Sequence, residues 1–346
     1  MWITSSPTSA QRPTKIALGN FDGVHLGHQR VIEPVLTHSE GQPSLVMAED
    51  MCLQAAAASG YSHLPGTALA QPTSELSEWA SVVTFFPHPR EFFSGQTRSL
   101  LTPLEEKSRQ LACLGVNQLV LLPFNATLAN LDAATFVERI LLQELQATHI
   151  SVGSDFHFGK DRQGNAELLG EIAARHNIPI TIVPLQNDAA GRISSSRIRQ
   201  ALADGELDRA NQLLGRSYTL TGIVISGQQL GRTIGFPTAN LKLPSDKFIP
   251  RQGGYSGKVF GILPEQKPLP GVMNIGNRPT VAGQDLSVEV HLLDWEGDLY
   301  GESLTVSLES FIRPEQKFDS LDELKQQIAQ DCKTAKETLA YVSAAT

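Results

Sequence analysis

Ala17-Leu18-Gly19-Asn20-Phe21-Asp22-Gly23-Val24-His25-Leu26-Gly27-His28 joins the end of a predicted strand to the start of a predicted helix. Ile16, Ala17 and Leu18 read as a short buried strand, Gly23 lets the chain turn without a Cβ penalty, and Gln29-Arg30-Val31-Ile32 begins a helical pattern. A strand that feeds a helix N-terminus presents unpaired N–H groups and the positive end of the helix dipole to an anion. His25 and His28 lie three apart, so they share one helix face and can meet that anion, and Gly27 between them leaves room for a phosphate. The same residues also fit a plain turn carrying two surface histidines. A metal site fits less well, because Asp22 and the two histidines have no His-Glu-x-x-His pattern or paired cysteines to support them.

Working outward, short apolar runs alternate with helical ones from Lys15 to about Leu214. Strands are predicted at Ser81–Phe86, ending on Pro87-His88-Pro89, then at Gln118–Leu122, Ile150–Gly153 and Ile180–Val183. Thr102-Pro103-Leu104-Glu105 reads as a capping box opening a helix, and Ala133–Leu145 as a helix with Phe136, Val137, Ile140 and Leu141 on one face. Strands joined by helical crossovers predict a doubly wound parallel sheet with its ligands at the carboxyl ends of the strands. Met47 to Trp79 breaks the rhythm with an alanine run and turn-rich segments; it reads as a surface excursion in preference to a substrate lid, and Pro43–Val46 joined directly to Val83–Pro87 would make one continuous strand.

After Gly215 the texture changes to strands without intervening helices, at Tyr218–Ile225, Lys258–Leu263, Gly271–Ile275, Ser287–Leu293 and Leu304–Leu308. These predict a small antiparallel β-barrel, and Ser320 with Glu323 caps a C-terminal helix expected to pack on it. Two domains, 1–216 and 217–346, also suit a length of 346 residues. Three scattered cysteines, Cys52, Cys113 and Cys332, suggest packing residues in a reducing compartment. With no signal-peptide pattern and no apolar run near the ~20 residues needed to cross a bilayer, the expectation is a cytoplasmic protein without membrane partners. A net charge of -8 argues against nonspecific nucleic-acid binding. Small-molecule partners are expected, and oligomeric state is left open.

Further chemistry sits where the strands end. Gly153-Ser154-Asp155-Phe156-His157-Phe158-Gly159 places an acidic and aromatic loop directly after a strand, and Ile193-Ser194-Ser195-Ser196-Arg197-Ile198-Arg199 puts three hydroxyls at a helix start with two arginines just inside. Each segment also reads as an ordinary turn or cap, yet serine with arginine suits triphosphate binding. In the barrel half, Leu230-Gly231-Arg232-Thr233-Ile234-Gly235-Phe236-Pro237-Thr238-Ala239-Asn240-Leu241 is not a Walker loop. Thr238 and Asn240 are two apart, hence on one face if extended, and both offer oxygens suited to Mg²⁺; a turn of Gly, Pro and Asn fits as well. Glu289 alternates with Val288 and Val290, so it faces away from them as a solvent-exposed carboxylate or a proton acceptor.

The segments Asn20–His28, Leu122–Asn125, Gly153–Gly159 and Ile193–Arg199 together resemble the FMN adenylyltransferase module of bacterial bifunctional riboflavin kinase/FAD synthetases. Gly235–Leu241, Gly271–Thr280, Val288–Asp294 and Arg313–Phe318 resemble the flavokinase module of the same family. The resemblance implies that His25 and His28 act at the ATP phosphates, and that Asn20, Asp22, Gly23, Ser194, Ser195, Ser196 and Arg199 complete that ATP site. Phe124, Asn125, Asp155 and Phe156 would bind flavin. In the kinase module it implies ATP binding by Gly231, Gly235, Thr238 and Asn240, Mg²⁺ at Thr238 and Asn240, and Glu289 as base. Position 196 is commonly threonine in the family, and Ser196 keeps the hydroxyl. The implied activity is phosphorylation of riboflavin to FMN, then adenylylation of FMN to FAD. The alternatives are a nucleotidylyltransferase for another phosphorylated acceptor and a catalytically inactive flavin-binding regulator.

Overall fold

The computed structural model describes residues 1–36, 78–227, 230–262, 268–280 and 283–345. They gather into two compact units, the first ending at Ser195 and the second starting at Ser196. Each is described by itself.

In the first unit, β1 (Trp2–Thr4), β2 (Thr14–Leu18), β3 (Trp79–Phe86), β4 (Gln118–Pro123), β5 (Ala147–Gly153) and β6 (Ile180–Val183) form one six-stranded sheet. Their order is β1-β4-β3-β2-β5-β6, and every neighbouring pair is parallel. Strand alternation explains why both faces are covered. Ile16, Leu18, Val83, Val120 and Leu122 point into one apolar cluster, while Ala17, Val82, Leu119 and Leu121 point into another.

The first cluster is closed by a helix that starts at Ala133–Thr135 and continues in a wider π-wound stretch, Phe136–Glu144, together with the helix Ala166–Arg175. The second is closed by α1 (Leu26–Ile32) and the helix Leu104–Cys113. From β2 the chain runs to β3 and β4 on one side and returns to β5 on the other. Their carboxyl ends therefore flank a topological switch point, and Gly19 to His28 emerges there.

The local expectations need two corrections. Thr102 does not cap the helix Leu104–Cys113: the cap residue is Pro103, with no side-chain bond, because the Thr102 hydroxyl is taken by the Gly23 amide at 2.9 Å. Cys332 keeps a free thiol, in line with a packing residue, and Cys52 lies outside the described residues. Finally, most of the predicted insertion at 47–79 lies outside the described residues; Glu78 and Trp79 are described, and Trp79 is already strand, paired with Thr14.

In the second unit, β7 (Tyr218–Ile225), β8 (Ala239–Lys242), β9 (Gly253–Phe260), β10 (Leu269–Thr280), β11 (Gly283–Leu292) and β12 (Ser303–Pro314) close a barrel in the order β7-β8-β11-β10-β9-β12. All its pairings are antiparallel. Alternate residues such as Val288, Val290 and Leu292, or Leu304, Val306 and Leu308, are buried. The C-terminal helix Leu321–Ala345 lays Ala335 and Cys332 against Val272 and Leu293. Ser320 accepts from the Glu323 amide at 3.2 Å, and the Glu323 carboxylate reaches one residue further back, to the Asp319 amide at 3.1 Å. No helix among the described residues is long and apolar enough to cross a membrane.

Candidate active sites

The loop between β2 and α1 is a tightly anchored structure. Phe21 (φ 50°), Gly23 (φ 89°) and Val24 (φ 42°) all take left-handed conformations, which are costly for the two side-chain-bearing residues. Surrounding bonds hold the loop in place. The Asp22 carboxylate, almost fully buried, accepts from the amides of Leu101 and Thr102 at 2.9 and 3.3 Å. The Asn20 carbonyl accepts from Thr84 Oγ1 at 3.3 Å and from Lys107 Nζ at 3.0 Å. The Asp22 carbonyl accepts from Ser195 Oγ at 2.8 Å. Asp22 and Gly23 thus shape the loop from within, and Thr102 and Lys107 fasten it from a segment whose sequence carries no mark of the site.

His25 caps α1, its Nδ1 accepting from the His28 amide at 3.2 Å. One helical turn brings the two imidazoles into a parallel stack, 3.6 Å between centres and 14° between planes, with the Phe21 ring edge-on to His28 at 5.3 Å between centres. Gly27 eases this packing. A Cβ there would come within 3.2 Å of His25 Cε1 and Nδ1. The paired histidines therefore sit at the start of α1, beyond the carboxyl end of β2, and share one side of it as their spacing predicts.

At the neighbouring strand ends, aromatic rings accumulate. Phe124 meets Phe85, Phe92 and Phe93 edge-on at 5.7, 5.4 and 5.8 Å. Phe93 is 72% exposed, an uncovered apolar ring. Phe92 and Phe93 belong to the helix Pro89–Ser94, which the sequence does not announce: Pro87-His88-Pro89 reads only as the end of a strand. His88 caps that helix in a reciprocal box with Glu91. Burial first, and the Arg98 charge second, push the His88 pKa down to about 4. Burial likewise lowers the Lys107 ammonium from its usual range.

The remaining predicted residues are placed less uniformly. Asn125 is exposed but spends its Oδ1 on capping the helix Ala126–Ala129, accepting from the Leu128 amide at 3.0 Å. The Asp155 carboxylate pairs with Arg192. Phe156 stacks on Phe158 at 5.7 Å and packs on the core. Ser194, Ser195 and Ser196 straddle the start of the helix Ser195–Asp204, and the Arg199 guanidinium lies 5.7 Å from the centre of the Phe248 ring, within the second unit.

In the barrel, β8 and β11 place Asn240 directly opposite Glu289. Glu289 lies half-exposed between buried Val288 and Val290 and accepts from Thr238 Oγ1 at 3.1 Å and from Ser287 Oγ at 3.0 Å. Thr238 and Glu289, predicted from separate segments, are therefore in direct contact. Gly231 closes the turn before them: the Phe236 amide donates to its carbonyl at 2.8 Å, and a Cβ on Gly231 would strike the Phe236 carbonyl oxygen at 2.3 Å. Gly235, at φ 89°, lets the chain reverse into Phe236. His291 Nδ1 lies 2.8 Å from the Pro237 carbonyl and steadies the same turn.

A riboflavin kinase family model matches residues 214–339, and an FAD synthetase model matches 8–49 and 67–197. A bifunctional riboflavin kinase/FMN adenylyltransferase of Escherichia coli K12 is 40% identical over 323 residues, 93% of this chain and 91% of that protein. The chain belongs to the bifunctional riboflavin kinase/FMN adenylyltransferase family. The family member from Bacillus subtilis 168 is 33% identical over 332 residues, 93% of this chain and 91% of its own. A crystal structure titled as a macrolide-efflux protein from Streptococcus pneumoniae superposes with a TM-score of 0.75 at 29% identity, covering 96% of this chain and 98% of that one. Within the family, the histidine loop falls in the FAD synthetase match and Thr238, Asn240 and Glu289 in the riboflavin kinase match, while residues 50–66 fall in neither.

Proposed function

We infer that residues 217–346 phosphorylate riboflavin with ATP, and that residues 1–216 adenylylate the resulting FMN to FAD with release of pyrophosphate. The observation that carries the kinase assignment is the contact between the Glu289 carboxylate and the Thr238 hydroxyl, with Asn240 opposite in register. In this reading Glu289 accepts the proton of the riboflavin 5′-hydroxyl as that oxygen attacks the γ-phosphorus and the bond to ADP breaks.

The oxygens of Thr238 and Asn240 are hard, neutral donors that fit Mg²⁺ better than a softer metal. Two such donors leave most of its shell to phosphate and water, so the ion would arrive with ATP. When bound it would neutralise charge on the transferring phosphoryl group.

Adenylyl transfer needs no protein nucleophile. A phosphate oxygen of FMN attacks the α-phosphorus of ATP and pyrophosphate leaves. His25, His28 and the α1 amides would hold the phosphates, with Asn20, Asp22 and Gly23 shaping the loop and Ser194, Ser195, Ser196 and Arg199 gripping the nucleotide. Phe124 and its exposed neighbour Phe93 offer ring faces for the flavin, beside Asn125, Asp155 and Phe156. We place both reactions in the cytoplasm, on small-molecule substrates, and expect the 47–79 segment to be dispensable for both.

The rival acceptor is tested by supplying ATP with FMN or with phosphopantetheine and following pyrophosphate release. Release with FMN alone is expected; release with phosphopantetheine alone would replace this reading. An inactive flavin-binding regulator would release none with either.

A further inference from the structure

We propose that Gly227 is a positioning residue for the kinase reaction, its missing Cβ leaving the slot in which the Asn240 carboxamide lies. A Cβ built on Gly227 would come within 2.3 Å of Asn240 Nδ2, 2.6 Å of Cγ and 2.9 Å of Oδ1. Three atoms of one amide group thus occupy the space that any other residue at 227 would fill.

The backbone beneath Asn240 is fixed from both sides. It pairs with Ile225 on β7 and with Glu289 on β11, and the residue is almost fully buried. A side chain added at 227 would therefore turn the carboxamide rather than move the strand. Rotating the far end of a side chain costs little stability, but a misplacement near 1 Å at a reacting centre costs about 10²-fold in rate.

The other glycines of this turn act differently. Gly231 faces the Phe236 carbonyl, and Gly235 needs its positive φ, so substitution at either would disturb backbone. At Gly227 the nearest obstruction is the Asn240 side chain. The inference rests on Asn240 holding the Mg²⁺ that accompanies ATP, and the test separates the two ideas.

In the full chain, Gly227→Ala and Asn240→Ala are compared with the unaltered protein. The measurements are FMN formation from riboflavin as a function of Mg²⁺, ADP affinity by calorimetry with and without Mg²⁺, FAD formation from supplied FMN, and the melting curve. The expected result for Gly227→Ala is a loss of kinase kcat of about 10²-fold. The Mg²⁺-dependent gain in ADP affinity should fall with it, while riboflavin KM, FAD formation and melting stay unchanged. Asn240→Ala should show the same pattern. A normal Gly227→Ala beside an impaired Asn240→Ala would overturn the role of Gly227 and leave the ligand reading standing. A normal Asn240→Ala would remove the reading itself, and the inference with it. Lowered melting with loss of both activities would make Gly227 structural and overturn the proposal.

Discussion

Thr238 Oγ1 donates to Glu289 Oε2 across 3.1 Å, although 51 residues separate them in the chain. The bond joins the turn that precedes β8 to the middle of β11, and it aims a carboxylate along the outer wall of the barrel. Glu289→Gln keeps the shape and removes the proton acceptor. FMN formation should fall by ~10²–10⁴-fold while FAD still forms from supplied FMN. Separate assays of the two steps check this, and near-normal FMN formation would make Glu289 a structural residue.

His28→Ala removes one member of the stacked pair at the start of α1. Loss of a preorganised phosphate donor should cost adenylylation about 10²–10³-fold and leave the kinase intact, so FMN accumulates. Chromatography of the flavins reads both. Equal loss of FMN and FAD would contradict separate sites.

Lys107 reaches the Asn20 carbonyl from 87 residues away. Lys107→Met keeps the stem and loses the tie to a loop that already holds Phe21 and Val24 at positive φ. Adenylylation kcat should drop, by about 10²-fold for a misplaced loop, with kinase kcat unchanged and Lys107→Arg largely restored. Steady-state kinetics of both reactions measure the split.

His88 has its pKa held down to about 4, against 6.5 for a free imidazole, chiefly by burial. As pH falls from 6.5 toward 4, the unfolded chain gains a proton that the folded chain does not, so this group favours unfolding increasingly over that window. His88→Asn retains a helix cap and removes the titration. Melting midpoints across that range should therefore vary less with pH in the variant than in the unaltered protein.

Arg313 and Asp331 form a buried ion pair at 2.9 Å between β12 and the C-terminal helix, with Gln327 Nε2 on the same carboxylate at 2.8 Å. Asp331→Ala would leave the guanidinium uncompensated and should cost about 3–5 kcal/mol. Urea unfolding measures it, and an apolar pair at both positions should recover much of the loss.

Much of this architecture is readable from residue order, because alternation is a local property. Ile16, Ala17 and Leu18 point to opposite faces of a covered strand, and Val288, Glu289 and Val290 to opposite sides of a barrel wall. The His25/His28 spacing is local in the same way, and the stack follows from one turn of helix. Contacts between distant segments carry no such signal. Thr102 resembles a helix cap until Gly23 folds against it, and Lys107 is an ordinary helix lysine until its ammonium meets Asn20. Phe92 and Phe93 look like apolar residues in a short helix, and only the packing of Phe124 against them marks an aromatic edge. Asn125 and Asp155 carry side-chain bonds to Leu128 and Arg192 that their motifs alone do not disclose.

The central claim is that one chain makes FMN and then FAD at two sites. The most direct measurement is a time course of the full chain with riboflavin, ATP and Mg²⁺, the flavins separated by chromatography, run beside Glu289→Gln and His28→Ala alone and mixed. FMN should appear first and FAD after it. Each variant alone should stop at its own step, and the mixture should restore FAD through released FMN. Formation of neither product by the unaltered chain, or FAD from riboflavin in the Glu289→Gln variant at the full rate, would contradict the account.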